Sequence, residues 1–243
     1  MAITSFKRIE KKYIVDEVQK QKLIEVFKNY MTLDPYCLNE STYHIQNIYY
    51  DTDSNILISQ SIAKPRYKQK LRARKYLGTQ YCFLEIKKKC EGVVGKRRIK
   101  LSLAELDQFI NYHQPPKRES FIDNQIIGEI EYLLNLYNLK PKVFISYDRL
   151  GFFDRNDKEF RITFDNHIHT KANNFDFDKG DYQFSLLEEG KYILEIKSNK
   201  NFPLWLVKTL SSLKVYSQSF SKYGTEYKKR LTGEISYEDV ILN

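Results

Sequence analysis

Short runs in which charged and apolar side chains alternate recur along this chain, and that period of two constrains its fold more than any other feature. Lys70-Leu71-Arg72-Ala73-Arg74 puts three cations on one parity, and Leu84-Glu85-Ile86-Lys87 segregates its charges in the same way. Successive side chains of a strand point to opposite faces, so each run predicts a strand with one charged and one apolar face. The same alternation joins Arg8, Glu10 and Lys12; Lys89 with Glu85 and Lys87; Lys96, Arg98 and Lys100; and Tyr147 with Arg149. It returns in Arg161, Thr163 and Asp165, and in Glu195 and Lys197 on either side of Ile196.

Read with their turn residues, these runs predict strands over Phe6 to Val15, Tyr43 to Asp51, Tyr67 to Tyr76, Tyr81 to Lys89, Gly95 to Leu101, Lys142 to Phe152, Phe160 to Asn166 and Lys191 to Ser198. Gly78 and the Gly92/Gly95 pair are the expected turns of a meander. Helices fill the gaps. Asp16 can cap one that buries Leu23, Val26, Phe27 and Tyr30, and Ser102-Leu103-Ala104-Glu105 is a capping box for a second that runs to Tyr112. A third, Asn124 to Leu139, aligns Ile126, Ile127, Ile130, Leu133, Leu134 and Tyr137, and Pro203 opens a fourth that reaches Tyr216. The expectation is an α+β fold of seven or eight antiparallel strands with helices outside. With no repeat, linker or low-complexity stretch, residues 1–243 read as one domain, and 42% hydrophobic residues suffice for its core.

A half-buried sheet with a solvated face would explain any one strand. Such faces normally mix both signs with Thr, Ser and Gln, whereas here successive strands present several Lys or Arg in a row. Like charges opposed across strands cost stability, and an anion between them offsets the cost. Lys and Arg outnumber Asp and Glu by 40 to 31, a net charge of +9, which points to an anionic partner. A sheet closed with its basic face inward would make a polyanion-binding tunnel, with Arg and Lys as phosphate ligands. Glu10, Glu85 and Glu195 among those cations suit a divalent metal that bridges phosphates, or else pair with their neighbours as salt bridges.

Other chemistries find less support. No glycine-rich phosphate loop is present, so side chains must hold any nucleotide. His167 and His169 read as surface residues without a third metal ligand, and Cys37, Cys82 and Cys90 as reduced packing residues. The 19 Tyr and 15 Phe among basic residues could stack nucleic-acid bases. Residues such as Phe27, Tyr30 and Tyr137 fall on apolar stripes instead, so no nucleic-acid partner is expected. No apolar run is long enough for a transmembrane helix, and the amino end lacks the pattern of a secretion signal, so the expected location is cytoplasmic.

Six segments, in order, carry a resemblance: Phe6-Lys7-Arg8-Ile9-Glu10-Lys11-Lys12-Tyr13, Lys70-Leu71-Arg72-Ala73-Arg74, Leu84-Glu85-Ile86-Lys87, Ser146-Tyr147-Asp148-Arg149, Leu194-Glu195-Ile196-Lys197 and Phe220-Ser221-Lys222-Tyr223. From Phe6 to Leu231 the chain resembles the vacuolar transporter chaperone (VTC) domain of the CYTH-like triphosphate tunnel metalloenzymes. The resemblance implies an eight-stranded antiparallel tunnel that binds ATP and polyphosphate and moves the terminal phosphoryl group of ATP onto a polyphosphate chain. It implies phosphate-binding roles for Arg8, Lys12, Arg72, Arg74, Lys87 and Arg149, a metal-binding role for Glu195, and a place near the tunnel mouth for Lys222. Lys96 and Arg98 join from parity, Lys70, Arg161 and Lys197 share the charged faces, and Glu10 is a second candidate ligand for Mn2+ or Mg2+. Of the expected residues, Lys12, Arg72, Arg74, Lys87 and Arg149 are the catalytic set.

Two departures bear on the branch of the family. Hydrolytic relatives begin with Glu-x-Glu-x-Lys, whereas this chain has Arg8, Glu10 and Lys12, which favours a polymerase over a triphosphatase. Eukaryotic polymerase members carry a basic residue where this chain has Ser219, together with a phosphate-sensing domain and a membrane region. Translocation of product would therefore call for a separate membrane partner. A triphosphatase and a non-catalytic polyphosphate binder remain the alternatives within this fold.

Overall fold

In the computed structural model, which describes residues 9–37, 41–63, 65–91, 93–177 and 180–237, each alternating run forms a strand. The elements are β1 (Ile9–Asp16), α1 (Glu17–Tyr30), β2 (Met31–Leu33), β3 (Tyr43–Asp51), α2 (Ile56–Ala63), β4 (Tyr67–Tyr76), β5 (Tyr81–Cys90) and β6 (Val93–Ser102). They continue with α3 (Leu103–Tyr112), α4 (Phe121–Leu136), β7 (Lys140–Asp154), β8 (Arg161–Lys171), β9 (Phe184–Ser185), β10 (Lys191–Ser198), α5 (Leu204–Ser212) and α6 (Lys222–Leu231). Eight strands hydrogen-bond in the order β1-β10-β8-β7-β3-β4-β5-β6, and the short β2 and β9 add to β7 and β8. This is the antiparallel α+β architecture expected. Among the described residues no helix is long and apolar enough to cross a membrane.

The chain divides into two compact units, one drawn from 1–44, 147–168 and 185–222, the other from 45–146, 169–184 and 223–243. In the first, α1 covers the apolar faces of β7, β8 and β10. Leu23, Ile24 and Phe27 are its buried stripe, and Phe27 sits 5.6 Å from Phe152, 5.9 Å from Phe164 and 6.0 Å from Trp205, centroid to centroid. Val26 is only half-buried, and Tyr30, expected inside, is 42% exposed. Its ring stacks on Trp205 at 4.4 Å, which leaves the phenol able to reach water. Asp16 caps α1 in a box with Gln19.

In the second unit, Leu71, Ala73, Leu84, Ile86, Ile99 and Leu101 form the apolar face of β4, β5 and β6. Leu106, Phe109 and Ile110 of α3 and the Ile126-to-Leu134 stripe of α4 cover it. The Ser102–Glu105 capping box closes as its spacing predicts. Ser120 caps α4, so that helix starts at Phe121 and ends before Tyr137, whose backbone is extended. Gly78 turns the β4–β5 connection at φ +83, whereas Gly95 lies inside β6 and Glu91 takes the positive φ of that turn. Gly92 lies outside the described residues. α5 stops at Ser212, short of Tyr216, and Lys214 follows in the left-handed region. Cys37 and Cys82 are buried, but Cys90, at the end of β5, is exposed.

Sequence patterning gave no sign of α2 or α6. The first turn of α2 depends on buried Asp51, whose carboxylate accepts from the backbone N–H groups of Leu57 and Ile58, both at 2.9 Å, and from the hydroxyl of Tyr223 at 3.0 Å.

The packing of α1 predicts a contrast. Phe27→Ala should lower the unfolding free energy by about 3–5 kcal/mol, the usual cost of emptying a buried aromatic site. Tyr30→Ala should cost about 1 kcal/mol, since it removes one exposed aromatic stack. Urea titration of the two variants checks the difference.

Candidate functional site

In the second unit, register places the charges of β4, β5 and β6 in rungs across one face. Lys70, Lys87 and Lys96 form one, Arg72, Glu85 and Arg98 the next, and Arg74, Phe83 and Lys100 the third. These rungs hold seven cations and one carboxylate, Glu85, which is 2% exposed. Arg72 donates from Nε to its Oε2 at 2.8 Å, and Lys96 lies 2.6 Å from Oε1. Arg74 approaches Glu85 at 4.0 Å and donates to Asn47 Oδ1 at 2.9 Å; the Asn47 amide in turn donates to the Ile145 carbonyl. Arg72 also donates to the Tyr49 hydroxyl at 3.1 Å.

Burial opposes the charge on Glu85, but Arg72, Arg74 and Lys96 outweigh it and hold the carboxyl well below the usual range. Burial of the Lys96 ammonium lowers its pKa to about 8; Arg72 and Arg74 push the same way and Glu85 opposes them. Lys87 is exposed on this face, and the Lys70 ammonium sits 5.9 Å from the Tyr223 ring.

The first unit carries a second charged face. Glu10, Lys197 and Arg161 share one rung, and Lys12, Glu195 and Thr163 the next. Lys197 lies 2.5 Å from Glu195 Oε1. Lys12 lies 3.5 Å from Glu10 and donates to the Phe220 carbonyl at 3.1 Å. Beyond these rungs, buried Arg149 grips Asp165 with two hydrogen bonds of 2.6 and 2.7 Å, and Lys222 binds the same carboxylate at 2.5 Å. The Tyr147 ring faces both cations, 5.2 Å from Arg149 and 4.0 Å from Lys222. Despite burial, Lys197, Lys12 and Arg149 keep Glu195 well below the usual carboxylate range, and Arg149 and Lys222 bring Asp165 down to about 2. Burial lowers the pKa of Lys197, whereas for Lys12 the attraction of Glu195, Glu10 and Asp165 wins and raises it.

Two features of this face suit an anion. The Arg161 Nε is buried and donates to no described group, although its guanidinium stands over the Phe153 ring. The segment 217–220 pairs with β1 through a Tyr13–Ser217 bridge and a bond from Gln218 N–H to the Lys12 carbonyl. With Glu10, Lys11 and Lys12 it lines a cavity of about 390 Å³.

The structure thus gathers Lys70, Arg72, Arg74, Lys87, Lys96 and Arg98 on one face, and Glu10, Lys12, Arg149, Arg161, Glu195, Lys197 and Lys222 on the other. Arg8 lies outside the described residues. Glu85, which admitted either a metal or a salt-bridge role, is bound by cations. Asn47 and Phe83 enter these clusters without having been singled out, and Asp165, already placed on a charged parity, enters without having been given a site role. Parity could have flagged Phe83 as it did Asp165, but only strand pairing brings Asn47 to Arg74. His167 bonds through Nδ1 to Asp148 at 2.8 Å and His169 stacks on Tyr182, so neither joins these faces.

Among the described residues, no three His, Cys, Asp or Glu side chains converge as a metal cage. Glu195 and Glu10 sit diagonally across β1 and β10, each beside a lysine ammonium. Mg2+ and Mn2+ prefer six oxygens and often take one or two from carboxylates and the rest from phosphates and water. These two glutamates fit an ion of that kind, one completed by phosphate oxygens.

The sequence profile of the VTC domain matches residues 7–230. No curated protein matches the chain in sequence. Among solved structures, a candidate adenylate cyclase from Bacillus halodurans is 16% identical, covers 88% of this chain and 93% of its own, and superposes with a TM-score of 0.55. That likeness supports the same fold. A candidate adenylate cyclase from Vibrio parahaemolyticus is 13% identical over 90% of this chain and 97% of its own, with a TM-score of 0.48. A candidate adenylyl cyclase from Hippeastrum with a dominant triphosphatase activity is 15% identical over 89% and 93%, with a TM-score of 0.47.

The Asp165 cluster predicts an acid-sensitive fold. A carboxyl lowered from 3.8 to about 2 adds stability that is present above pH 4 and is lost as pH falls through 2. Asp165→Asn should flatten that acid limb. It should also cost about 3–5 kcal/mol at neutral pH, because Arg149 is left as a buried charge without its partner. Unfolding free energies measured across pH 2–7 test both.

Proposed function

The chain belongs to the VTC-domain family, and on that premise we propose that it is a polyphosphate polymerase, transferring the terminal phosphoryl group of ATP onto a polyphosphate chain. The observation that carries this reading is the β4–β6 face, where seven cations surround a single, already neutralised carboxylate. Such a surface carries an excess of positive over negative side chains, which a run of phosphates would match along successive rungs. Arg72 and Arg74 are pre-set by Glu85, Tyr49 and Asn47, so they lose little freedom when they bind phosphate oxygens.

In the reaction, a terminal oxygen of the polyphosphate chain attacks the γ-phosphorus of ATP. The new P–O bond forms as the bond to the β-phosphate breaks, and ADP leaves with that electron pair. Phosphoryl transfer asks the protein mainly for alignment and for charge opposite the phosphoryl oxygens. Within the first unit Lys12, Arg149, Lys197 and Lys222 can provide such charge, and within the second Lys70, Arg72, Arg74, Lys87, Lys96 and Arg98 can. Mn2+ or Mg2+ arriving with the triphosphate would be held by Glu195, with Glu10 beside it, and would neutralise charge between phosphate oxygens.

The acceptor chemistry favours transfer over hydrolysis. A terminal phosphate is ionised at neutral pH, its second pKa being about 6, and needs no base. Water does need one. Glu85, Glu195 and Asp165 are all held below the usual range by adjoining cations and are poor bases at pH 7.

Incubation with ATP and Mn2+, with and without a short polyphosphate primer, should yield chains and ADP in matching amounts on one gel. Free phosphate with ADP and no chains would replace this reading by a triphosphatase; neither product, despite tight triphosphate binding, would leave a binder. Glu195→Gln should retain nucleotide binding and lose about a hundredfold in metal-dependent turnover.

A second expectation concerns Lys96. Bound phosphate favours its ammonium form, so binding above pH 8 takes up a proton and affinity for inorganic tripolyphosphate should fall as pH rises through about 8. Lys96→Arg should flatten that dependence in calorimetric titrations, since arginine stays charged.

A further inference from the structure

The cationic rungs of β4, β5 and β6 give way to aromatic rings at one end, and from this we infer that Phe83 and Tyr81 form a stacking platform for the nucleobase of a nucleoside triphosphate. The inference rests on the reading of a triphosphate donor and assigns the part of it that the basic residues cannot recognise.

Register sets out the sequence of surfaces. From the rung of Lys70, Lys87 and Lys96 the face passes through Arg72, Glu85 and Arg98 to Arg74, Phe83 and Lys100, and then to Tyr81 opposite Ser102. Phosphate ligands therefore lead directly into rings. Phe83 and Tyr81 meet edge to face at 5.6 Å, and Tyr76 joins Phe83 at 6.3 Å. All three rings are partly exposed. A cavity of about 620 Å³ opens there, lined by Tyr81, Phe83, Arg98, Lys100 and Arg118 among others. That volume lies within the range of small-molecule sites.

The cations of β6 all lean one rung toward this end. Lys96, opposite Lys87, reaches Glu85; Arg98, opposite Glu85, lies 4.4 Å over the Phe83 ring; Lys100, opposite Phe83, lies 3.7 Å over the Tyr81 ring. Arg98 and Lys100 thus lie over the ring faces. Cation–π contacts at exposed sites are worth only about 0.5–1 kcal/mol each. Phosphate oxygens compete well for both cations, and once Arg98 and Lys100 turn to them the ring faces are open to a base. Any base offers a π face, and stacking on an aromatic side chain is worth about 1–3 kcal/mol. Arg118 does not take part in this exchange, because Glu105 at 2.8 Å and the Lys100 carbonyl at 3.1 Å already hold it.

A pair of ligands separates the base from the phosphates. Calorimetric titration of ATP and of inorganic tripolyphosphate into wild type, Phe83→Leu and Tyr81→Leu should show ATP affinity falling at least about fivefold in each variant, with tripolyphosphate affinity changing less than twofold. Phe83→Tyr keeps a ring and should bind ATP within twofold of wild type. Equal weakening toward both ligands would overturn the platform and reduce the rings to supports for Arg98 and Lys100; unchanged ATP affinity in both leucine variants would overturn it outright. Wild-type protein that binds neither ligand would instead remove the triphosphate reading on which the platform rests.

Discussion

Cations packed on a sheet face repel each other, and in each of the two units a buried carboxylate among them is what allows such a face to exist. Glu85 draws Arg72, Arg74 and Lys96 together, and Asp165 does the same for Arg149 and Lys222. Taking these groups from water is costly, and geometry decides whether mutual attraction offsets it. Bidentate contact between Arg149 and Asp165 is the favourable case. Each carboxylate cancels only part of the charge around it. The fold therefore keeps a surplus of positive charge on these faces, with Arg72, Arg74 and Arg149 held in fixed orientations.

The opposite faces of the same strands provide the stability this arrangement needs. Leu84, Ile86, Ile99 and Leu101 are all buried beneath α3 and α4, and Phe27 anchors α1 among Phe152, Phe164 and Trp205. Strand periodicity joins the two roles: each residue that faces the core fixes the height at which its neighbour faces the charges. A slip of one residue would bury Arg72 under a helix and expose Leu71. The apolar set thus enforces the register on which the rungs of charge depend.

Much of this was legible beforehand. The eight principal strands follow from alternation, and the Asp16 cap and the Ser102–Glu105 capping box from local chemistry; the part Gln19 plays in the Asp16 cap emerged only in the structure. Tyr30 was misplaced because helical spacing cannot tell a buried ring from one that lies on a neighbour at the surface. α2 stayed hidden because its cap is Asp51, buried at the end of a strand and tied to Tyr223, 172 residues away. α6 is strongly charged, and its basic last turn reads like any solvated segment. Phe83 carried a usable signal, the parity it shares with Glu85, but a ring at a charged parity looks like an exception until Arg98 is found lying over it.

What the amino-acid sequence determined by itself is the two-faced character of each strand and the excess of positive charge on one face, since both depend only on neighbours in the chain. Which carboxylate restrains which cation was left to the tertiary structure. Lys12 meets the Phe220 carbonyl across 208 residues, and Lys222 reaches Asp165 across 57. The lean of Lys96, Arg98 and Lys100 is also decided by pairing, because a side chain's diagonal neighbour exists only once register is set. Alternation says that a residue faces the charges; the partner it finds there depends on how distant strands and helices are brought together by the packing of their apolar faces.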